Sequence, residues 1–294
     1  MPSWNQILDE VSSVKAPNAY DVVRRKYLSK ISDITGRNTI AYYSSFLQKP
    51  EAPYADINDD DRNALMSMVY QIDRSKGLDL ILHTPGGSIA AATSIVDYLR
   101  QMFGNDIRAI VPQIAMSAGT MIACSCNSII MGKQSNLGPI DPQYHGVSTY
   151  GVIEEFNRAK VEIANDPRTI PIWQTIIAKY NPSFIGDCEK AIKWSNDTVT
   201  KWLSTNMLES NPKQAADIVS HLSDHNETLS HERHIHRDEC IKLGLNIISL
   251  EDDDELQDNI LSAHHAYMLT FSSTPSIKIV ENQNGKAVIK FAHQ

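Results

Sequence analysis

Two short, mostly apolar runs, each followed by a loop of small residues, constrain the fold more than any other feature of the sequence. The first run, residues 78–82, leads into His-Thr-Pro-Gly-Gly-Ser at 83–88, and the second, residues 107–112, precedes Ala-Met-Ser-Ala-Gly-Thr at 115–120. Runs of this length that end at glycine or proline are typical of buried strands. Each loop leads into a predicted helix, and such strand–helix alternation predicts a mainly parallel sheet.

The two loops also predict a reactive site. Backbone N–H groups at strand-to-helix turns are unpaired and bind anions or a developing oxyanion. Ser117 lies on the second turn. A serine in that position would face the amides of the first turn. We therefore predict that Ser117 is a nucleophile and that the N–H groups of Gly87 and Ala118 stabilise the oxyanion. The alternative is that Ser117 is simply a small residue that permits close helix packing.

Three motifs in a fixed order carry a resemblance to a known superfamily. They are Thr-Pro-Gly-Gly-Ser at 84–88, Met-Ser-Ala-Gly-Thr at 116–120 and Leu-Gly-Pro-Ile-Asp-Pro-Gln at 137–143. The chain resembles the Clp protease/crotonase superfamily, within it the signal-peptide-peptidase-like serine peptidases, and most closely the serine dehydrogenase proteinase family. The resemblance implies an α/β fold of repeated β-β-α units with a mainly parallel sheet, helical additions and a C-terminal β-hairpin.

Three regions are expected on this basis. Residues 1–34 form an N-terminal helical arm, residues 35–165 form the Clp/crotonase-like catalytic core, and residues 166–294 form a helical extension with a C-terminal helix and β-hairpin packed on the core. The Gln-Asn-Gly at 283–285 separates two β-branched runs and predicts the hairpin turn. Within the extension, the spacing of apolar residues predicts separate helices over 184–194 and 199–208.

The resemblance implies an ATP-independent, cytoplasmic serine peptidase that hydrolyses peptide bonds through a Ser–Lys dyad and a backbone oxyanion hole. It implies no cofactor, a peptide or unfolded-protein substrate and a homo-oligomer. The net charge of −8 argues against nucleic-acid binding. No apolar run reaches membrane-spanning length, and the first residues lack the pattern of a signal peptide. The four cysteines are predicted to be reduced, as in cytosolic proteins.

The general base is the open part of this prediction. The Clp protease pattern places a histidine near Asp141, where this chain has none, and His145 is out of step with it. The signal-peptide-peptidase pattern instead uses a lysine farther downstream, and Lys160 lies at that separation. Ile153, Phe156 and Lys160 recur at helical spacing, which predicts that Lys160 faces the apolar side. The alternatives are a solvent-facing Lys160, His145 as the base, or a base from another segment or subunit.

The third motif is expected to shape the substrate groove beside the nucleophile, where a peptide binds as an added strand. Asp141 either orients the base or acts as a turn former. The predicted groove residues are Gly86, Ser88, Gly138, Pro139, Ile140 and Asp141.

The other histidines are predicted to have structural roles. The connection before the last part of the chain contains His221, His225, His231, His234 and His236. The sequence His-Glu-Arg-His at 231–234 is one residue short of the zinc metalloprotease motif, so no metal site is predicted and a polar surface connection is favoured. His83, at a strand end, is predicted to be a packed, hydrogen-bonded histidine.

Two rival functions remain open. A crotonase-like acyl-CoA enzyme uses the same amide donors on a thioester, but it needs carboxylate catalysts and gives no reason for a serine at position 117. A catalytically silent scaffold is the other rival, with the helical second half binding a partner.

Overall fold

A seven-stranded β-sheet runs through the centre of the computed structural model, which describes residues 3–144, 146–224 and 228–292. From one edge to the other, its strands are β10 (Ile247–Ser249), β5 (Ser128–Met131), β3 (Ile107–Val111), β2 (Leu78–His83), β1 (Asn38–Ser44), β11 (Ser276–Asn282) and β12 (Ala287–Phe291). The first five strands are parallel, and β11 is antiparallel to both of its neighbours. The predicted α/β class with a mainly parallel sheet is confirmed.

Helices cover both faces of this sheet. In β1, Ile40 and Tyr42 pack into one apolar cluster, whereas Ala41 and Tyr43 pack into the other. Burial on both faces explains why the strands read as continuous apolar runs. The first face holds α3 (Asp60–Val69), α4 (Ile89–Phe103), α5 (Ala118–Ser125), α8 (Phe184–Ser204), α9 (Pro212–Ser223) and α10 (Arg237–Leu243), and the second holds α1 (Trp4–Ser13), α2 (Ala19–Thr35) and α11 (Asp254–Ser273).

A single helix, α8, replaces the two helices predicted over 184–194 and 199–208. The two predicted helices are separated by residues 195–198, which are polar and weak helix formers. Ser195 and Val199 are nevertheless fully buried. Tertiary packing therefore overrides local preference at this point. Within the described residues, no helix combines the length and apolar content needed to cross a membrane.

The predicted C-terminal hairpin is confirmed, and it extends the central sheet. Strands β11 and β12 pair antiparallel across the turn that contains Gly285. Gly285 has a φ of +81°, a conformation that glycine adopts without steric cost.

A second, three-stranded sheet gathers distant parts of the chain. It consists of β4 (Ile114–Ala115), β6 (Asn136–Leu137) and β9 (Ile235–His236). Strand β6 is parallel to β4 and antiparallel to β9. The chain therefore leaves β4 and β6, and enters β9, at the same end of this sheet. The segments that contain Ser117, Asp141 and His231 meet there.

A short hairpin and two further helices follow the second sheet. Strands β7 (Gln143–Tyr144) and β8 (Val147–Ser148) pair antiparallel. They lead into α6 (Thr149–Asn165) and α7 (Ile170–Ile177).

Two histidines are buried against each other between the central sheet and α11. The rings of His83 and His264 lie 5.1 Å apart in an edge-to-face arrangement. His83 is packed as predicted, but neither of its ring nitrogens has a hydrogen-bond partner among the described residues. Burial lowers the pKa of His83 well below its ordinary value and lowers the pKa of His264 to about 3. Both rings are therefore neutral in the folded protein.

We predict that acidification destabilises the fold through this pair. As the pH falls through the ordinary histidine pKa of 6.5, the unfolded chain takes up protons that the folded chain does not. The free energy of unfolding should fall by about 2 kcal/mol for each histidine at about pH 5. Urea unfolding at several pH values measures this decrease.

The matched variant is His264→Phe, which keeps an aromatic ring but cannot titrate. It should remove about half of the part of the stability loss that this pair contributes. Replacement of the exposed His234 by glutamine should leave the stability loss unchanged. An unaltered pH dependence in His264→Phe would contradict the prediction.

Candidate active site

Ser117 lies at a strained turn between β4 and α5. Its backbone has a φ of 51° and a ψ of −118°, a region that residues other than glycine rarely adopt. The N–H of Met116 donates to the carbonyl of Thr84 at 3.0 Å, and the N–H of Gly119 donates to the carbonyl of Met116 at 2.7 Å. Strain held in place by such contacts clusters at functional sites. A similar sharp turn exposes the nucleophilic serine in α/β-hydrolases.

The glycine loop after β2 packs directly on this turn. A Cβ atom added to Gly86 would lie 2.6 Å from Cβ of Ser117 and 2.7 Å from the carbonyl oxygen of Met116. Gly86 also has a φ of +100°. Steric and conformational requirements therefore both demand glycine here, and the two predicted loops are brought together.

The Gly87 amide is directed away from the neighbouring segment of the chain. The N–H of Ile57 donates to the carbonyl of Gly86 at 2.7 Å, and the N–H of Ser88 donates to the carbonyl of Ile57 at 2.9 Å. Since backbone groups alternate along an extended segment, the N–H of Gly87 points to the opposite edge. Ala118 is the first residue of α5, so its N–H has no intrahelical acceptor. This geometry supports the predicted oxyanion donors.

The loop at 138–142 is anchored on three sides. The N–H of Gly138 donates to Oγ1 of Thr120 at 2.9 Å. The N–H of Ile140 donates to the carbonyl of Leu222 at 2.9 Å, and Oγ of Ser195 donates to the carbonyl of Ile140 at 3.0 Å. The loop is therefore held by α5, α8 and α9 together.

A cavity of about 670 Å³ opens beside Ser117. Its walls are mostly apolar, with charged groups from α8 and from the loop at 138–142. Of the predicted groove residues, Ser88, Ile140 and Asp141 line it, whereas Gly86, Gly138 and Pro139 are absent from its lining. The lining residues are Pro85, Gly87, Ser88, Ile89, Ala90, Ser117, Met121, Ile140, Asp141, Pro142, Gln143, Tyr144, Asp187, Lys190, Ala191, Trp194 and His231.

An aspartate–histidine pair forms one side of the cavity. Nδ1 of His231 lies 2.6 Å from Oδ1 of Asp141. The aspartate side chain is fully buried, and the histidine side chain is 20% exposed. Because an ionised carboxylate only accepts hydrogen bonds, Nδ1 is the donor, which leaves Nε2 of the neutral ring as a proton acceptor.

Ser117, Asp141 and His231 thus share one cavity. Within the described residues, no hydrogen bond joins Oγ of Ser117 to His231. Such contacts are often long in unliganded enzymes and shorten when substrate binds. The set contains a serine, a histidine and a carboxylate that contacts the histidine, which are the residue types of a serine nucleophile, its base and the group that orients the base.

His231 is the residue that sequence reasoning missed. The sequence favours a polar surface connection for it, whereas the structure places it in the wall of the cavity. His221 and Arg233 contact Glu239 near the surface. The one local signal was Ile235, an apolar residue among charged neighbours, which is fully buried in β9. His145 and His225 lie outside the described residues. Among those described, no group of three potential metal ligands is found.

Lys160 is not brought to Ser117. Helix α6 buries Val152 and Ala159, while Lys160 is exposed and its Nζ lies 3.5 Å from Oδ1 of Asn157. It does not line the cavity. The expected turn of Lys160 towards the apolar side is therefore not seen, because the buried face of α6 is offset from it. A Ser117–Lys160 dyad stays a prediction without geometric support.

Comparisons with known proteins bear on the same part of the chain. A family described as ClpP-like SDH-type serine proteinases matches residues 18–255. Two uncharacterized proteins of Methanocaldococcus jannaschii, MJ0137 and MJ1495, are 34% and 29% identical over 117 and 113 residues, which are 40% and 38% of this chain. The matches span only 41% and 38% of those relatives' lengths.

A solved structure of a ClpP1 point mutant from Listeria monocytogenes is also similar. Its sequence identity is 11% and its TM-score 0.42, with 76% of this chain and 98% of that chain covered. The family match extends from α2 to the start of α11 and includes Ser117, Asp141 and His231. The chain belongs to the family of ClpP-like SDH-type serine proteinases.

Proposed function

We propose that this chain is a serine peptidase in which Ser117 is the nucleophile and the Asp141–His231 pair supplies the base. The observation that carries the proposal is the 2.6 Å contact between Asp141 and His231 in the cavity that also contains the strained Ser117. Family membership supports a serine peptidase in general. The identity of the base is our inference from the geometry.

The proposed reaction proceeds in two stages. Oγ of Ser117 attacks the peptide carbonyl carbon while Nε2 of His231 takes the hydroxyl proton, and Asp141 stabilises the imidazolium. The N–H groups of Gly87 and Ala118 stabilise the negative oxygen of the tetrahedral intermediate. When the C–N bond breaks, His231 passes its proton to the leaving amine. A water molecule then hydrolyses the acyl-enzyme by the same route, which regenerates the serine.

The proposal also covers the substrate, the cellular compartment and the oligomeric state. We propose an unfolded or extended peptide substrate, because the cavity is lined by the glycine loop and the loop at 138–142 and has mostly apolar walls. ATP-independent, cytoplasmic action and a homo-oligomeric state belong to the same proposal. All four cysteines are free and buried, which supports a reducing compartment.

The rival functions explain less of the site. An acyl-CoA enzyme of the crotonase type gives no role to a serine nucleophile beside a histidine. A silent scaffold gives no reason to keep a serine at a φ of 51°, where glycine is less strained.

Labelling with a fluorophosphonate probe tests the nucleophile and the base together. The native chain should be labelled, Ser117→Ala should not, and His231→Gln should be labelled at least about a hundredfold more slowly. Lys160→Ala should label at the native rate because Lys160 lies outside the cavity. The matched control is His234→Gln, which alters an exposed histidine of the same connection.

The result that contradicts this assignment is also specific. If Lys160→Ala abolished labelling and His231→Gln retained it, the base would be lysine. If the folded native chain were not labelled at all, the peptidase proposal would fail.

We expect Gly86→Ala to lower the rate of peptide hydrolysis. The new methyl group would overlap Ser117 and the Met116 carbonyl, which displaces the nucleophile. A shift of about 1 Å costs on the order of a hundredfold in rate, so we expect that loss in peptide hydrolysis. The control is Gly104→Ala, whose glycine also has a positive φ, of +63°, but no atom within 4 Å of the added Cβ. Equal activity losses in the two variants would refute the steric explanation.

A further inference from the structure

The second oxygen of Asp141 contacts a serine that no motif singled out. Oδ1 of this carboxylate accepts from His231, and Oδ2 accepts from Oγ of Ser148 at 3.3 Å. Ser148 and His231 are the hydrogen-bond partners of the Asp141 side chain within the described residues. A fully buried carboxylate needs such partners, because burial of an unpaired charge is costly.

The backbone holds Ser148 in this position. The β7–β8 hairpin pairs Gln143 with Ser148 and so returns the chain to the residues that follow Asp141. The N–H of Thr149 then donates to the carbonyl of Pro142 at 3.1 Å, and Oγ1 of Thr149 donates to the same oxygen at 2.9 Å. The segment that contains Ser148 is therefore fastened to the aspartate loop by backbone contacts.

Ser148 also begins α6. Its Oγ accepts a hydrogen bond from the N–H of Gly151 at 3.4 Å, as a helix N-cap does. One hydroxyl can accept from Gly151 and donate to Asp141 at the same time. The start of α6 and the rotation of the carboxylate are thus linked through one side chain.

We propose that Ser148 is a positioning residue that sets the orientation of Asp141, so that Oδ1 faces Nδ1 of His231. This inference rests on the proposed function, in which His231 is the base. Without the hydroxyl, the carboxylate can rotate about its Cβ–Cγ bond, and the histidine loses the contact that fixes its tautomer. Ser148 acts through Asp141 and touches neither the nucleophile nor the reacting atoms.

Three substitutions separate positioning from helix capping. Ser148→Ala removes both functions. Ser148→Asp keeps an excellent N-cap but cannot donate when ionised, and it places a second carboxylate beside Asp141. Ser148→Thr keeps both functions. Asp253→Ala is the control for capping alone, because Asp253 caps α11 through Leu256, and its side chain has no hydrogen bond to the candidate site within the described part of the chain.

The first measurement is steady-state peptide hydrolysis beside thermal unfolding. We expect Ser148→Ala and Ser148→Asp to lower kcat by about tenfold with little change in KM, since a hydrogen bond to a charged group is lost. Ser148→Thr should restore most of kcat. Asp253→Ala should lower Tm and leave kcat unchanged, so that the loss of a helix cap alone does not account for a lower kcat. Native kcat in Ser148→Asp would overturn the proposal.

The second measurement does not depend on catalysis. Nitrogen-15 NMR of histidine-labelled protein at about pH 8, where histidines are ordinarily neutral, reports which ring nitrogen carries the proton. The His231 signals are assigned by their absence in His231→Gln. We expect the proton on Nδ1 in the native chain and a shift towards Nε2 in Ser148→Ala and Ser148→Asp.

The kinetic and NMR measurements can contradict the two proposals independently of each other. A shifted tautomer in a chain that hydrolyses no peptide would uphold Ser148 as a positioning residue and reject the peptidase proposal. An unchanged tautomer in both variants would overturn the role of Ser148, whatever the native activity.

Discussion

The pairing of three two-residue strands is the constraint on which the candidate site depends. Ala115 of β4 pairs with Leu137 of β6, which in turn pairs with Ile235 of β9, and all three side chains are fully buried. Strands this short gain little from their own hydrogen bonds, so core packing of these side chains must fix the register. That register brings a serine, an aspartate and a histidine from distant parts of the chain to one end of the small sheet.

Asp141 is important both for the stability of the fold and for the proposed chemistry. A buried carboxylate is tolerated only with good hydrogen-bond partners, and here those partners are a histidine and the N-cap serine of a helix. The loop that presents it is held by α8 and α9 through the backbone of Ile140. The helical extension therefore does more than cover the sheet, because it supports the wall of the cavity that faces Ser117.

The features that could be predicted from the sequence are those determined by residues close together in the chain. The central strands, the glycine loop, the serine turn and the C-terminal hairpin each have a signal within a few residues. For His231 the one local signal is the buried Ile235 of β9, which does not tell which histidine of the stretch reaches the site, because that depends on the partner that β9 finds across the fold. For Lys160, the spacing from Ile153 and Phe156 suits an apolar face, but α6 packs through Val152 and Ala159, so the predicted orientation is not seen.

The contact between Ile57 and the glycine loop has a consequence for the energetics of the proposed reaction. Because the backbone groups of Gly86 and Ser88 are already bonded to Ile57, the amide of Gly87 is oriented before any substrate arrives. In solution, water molecules must reorient around a developing charge, and the energy of this reorientation is part of the activation barrier. A peptide dipole held in place by the fold needs no such reorientation. The energy needed to orient it is supplied once, when the chain folds, and is not part of the barrier of each turnover.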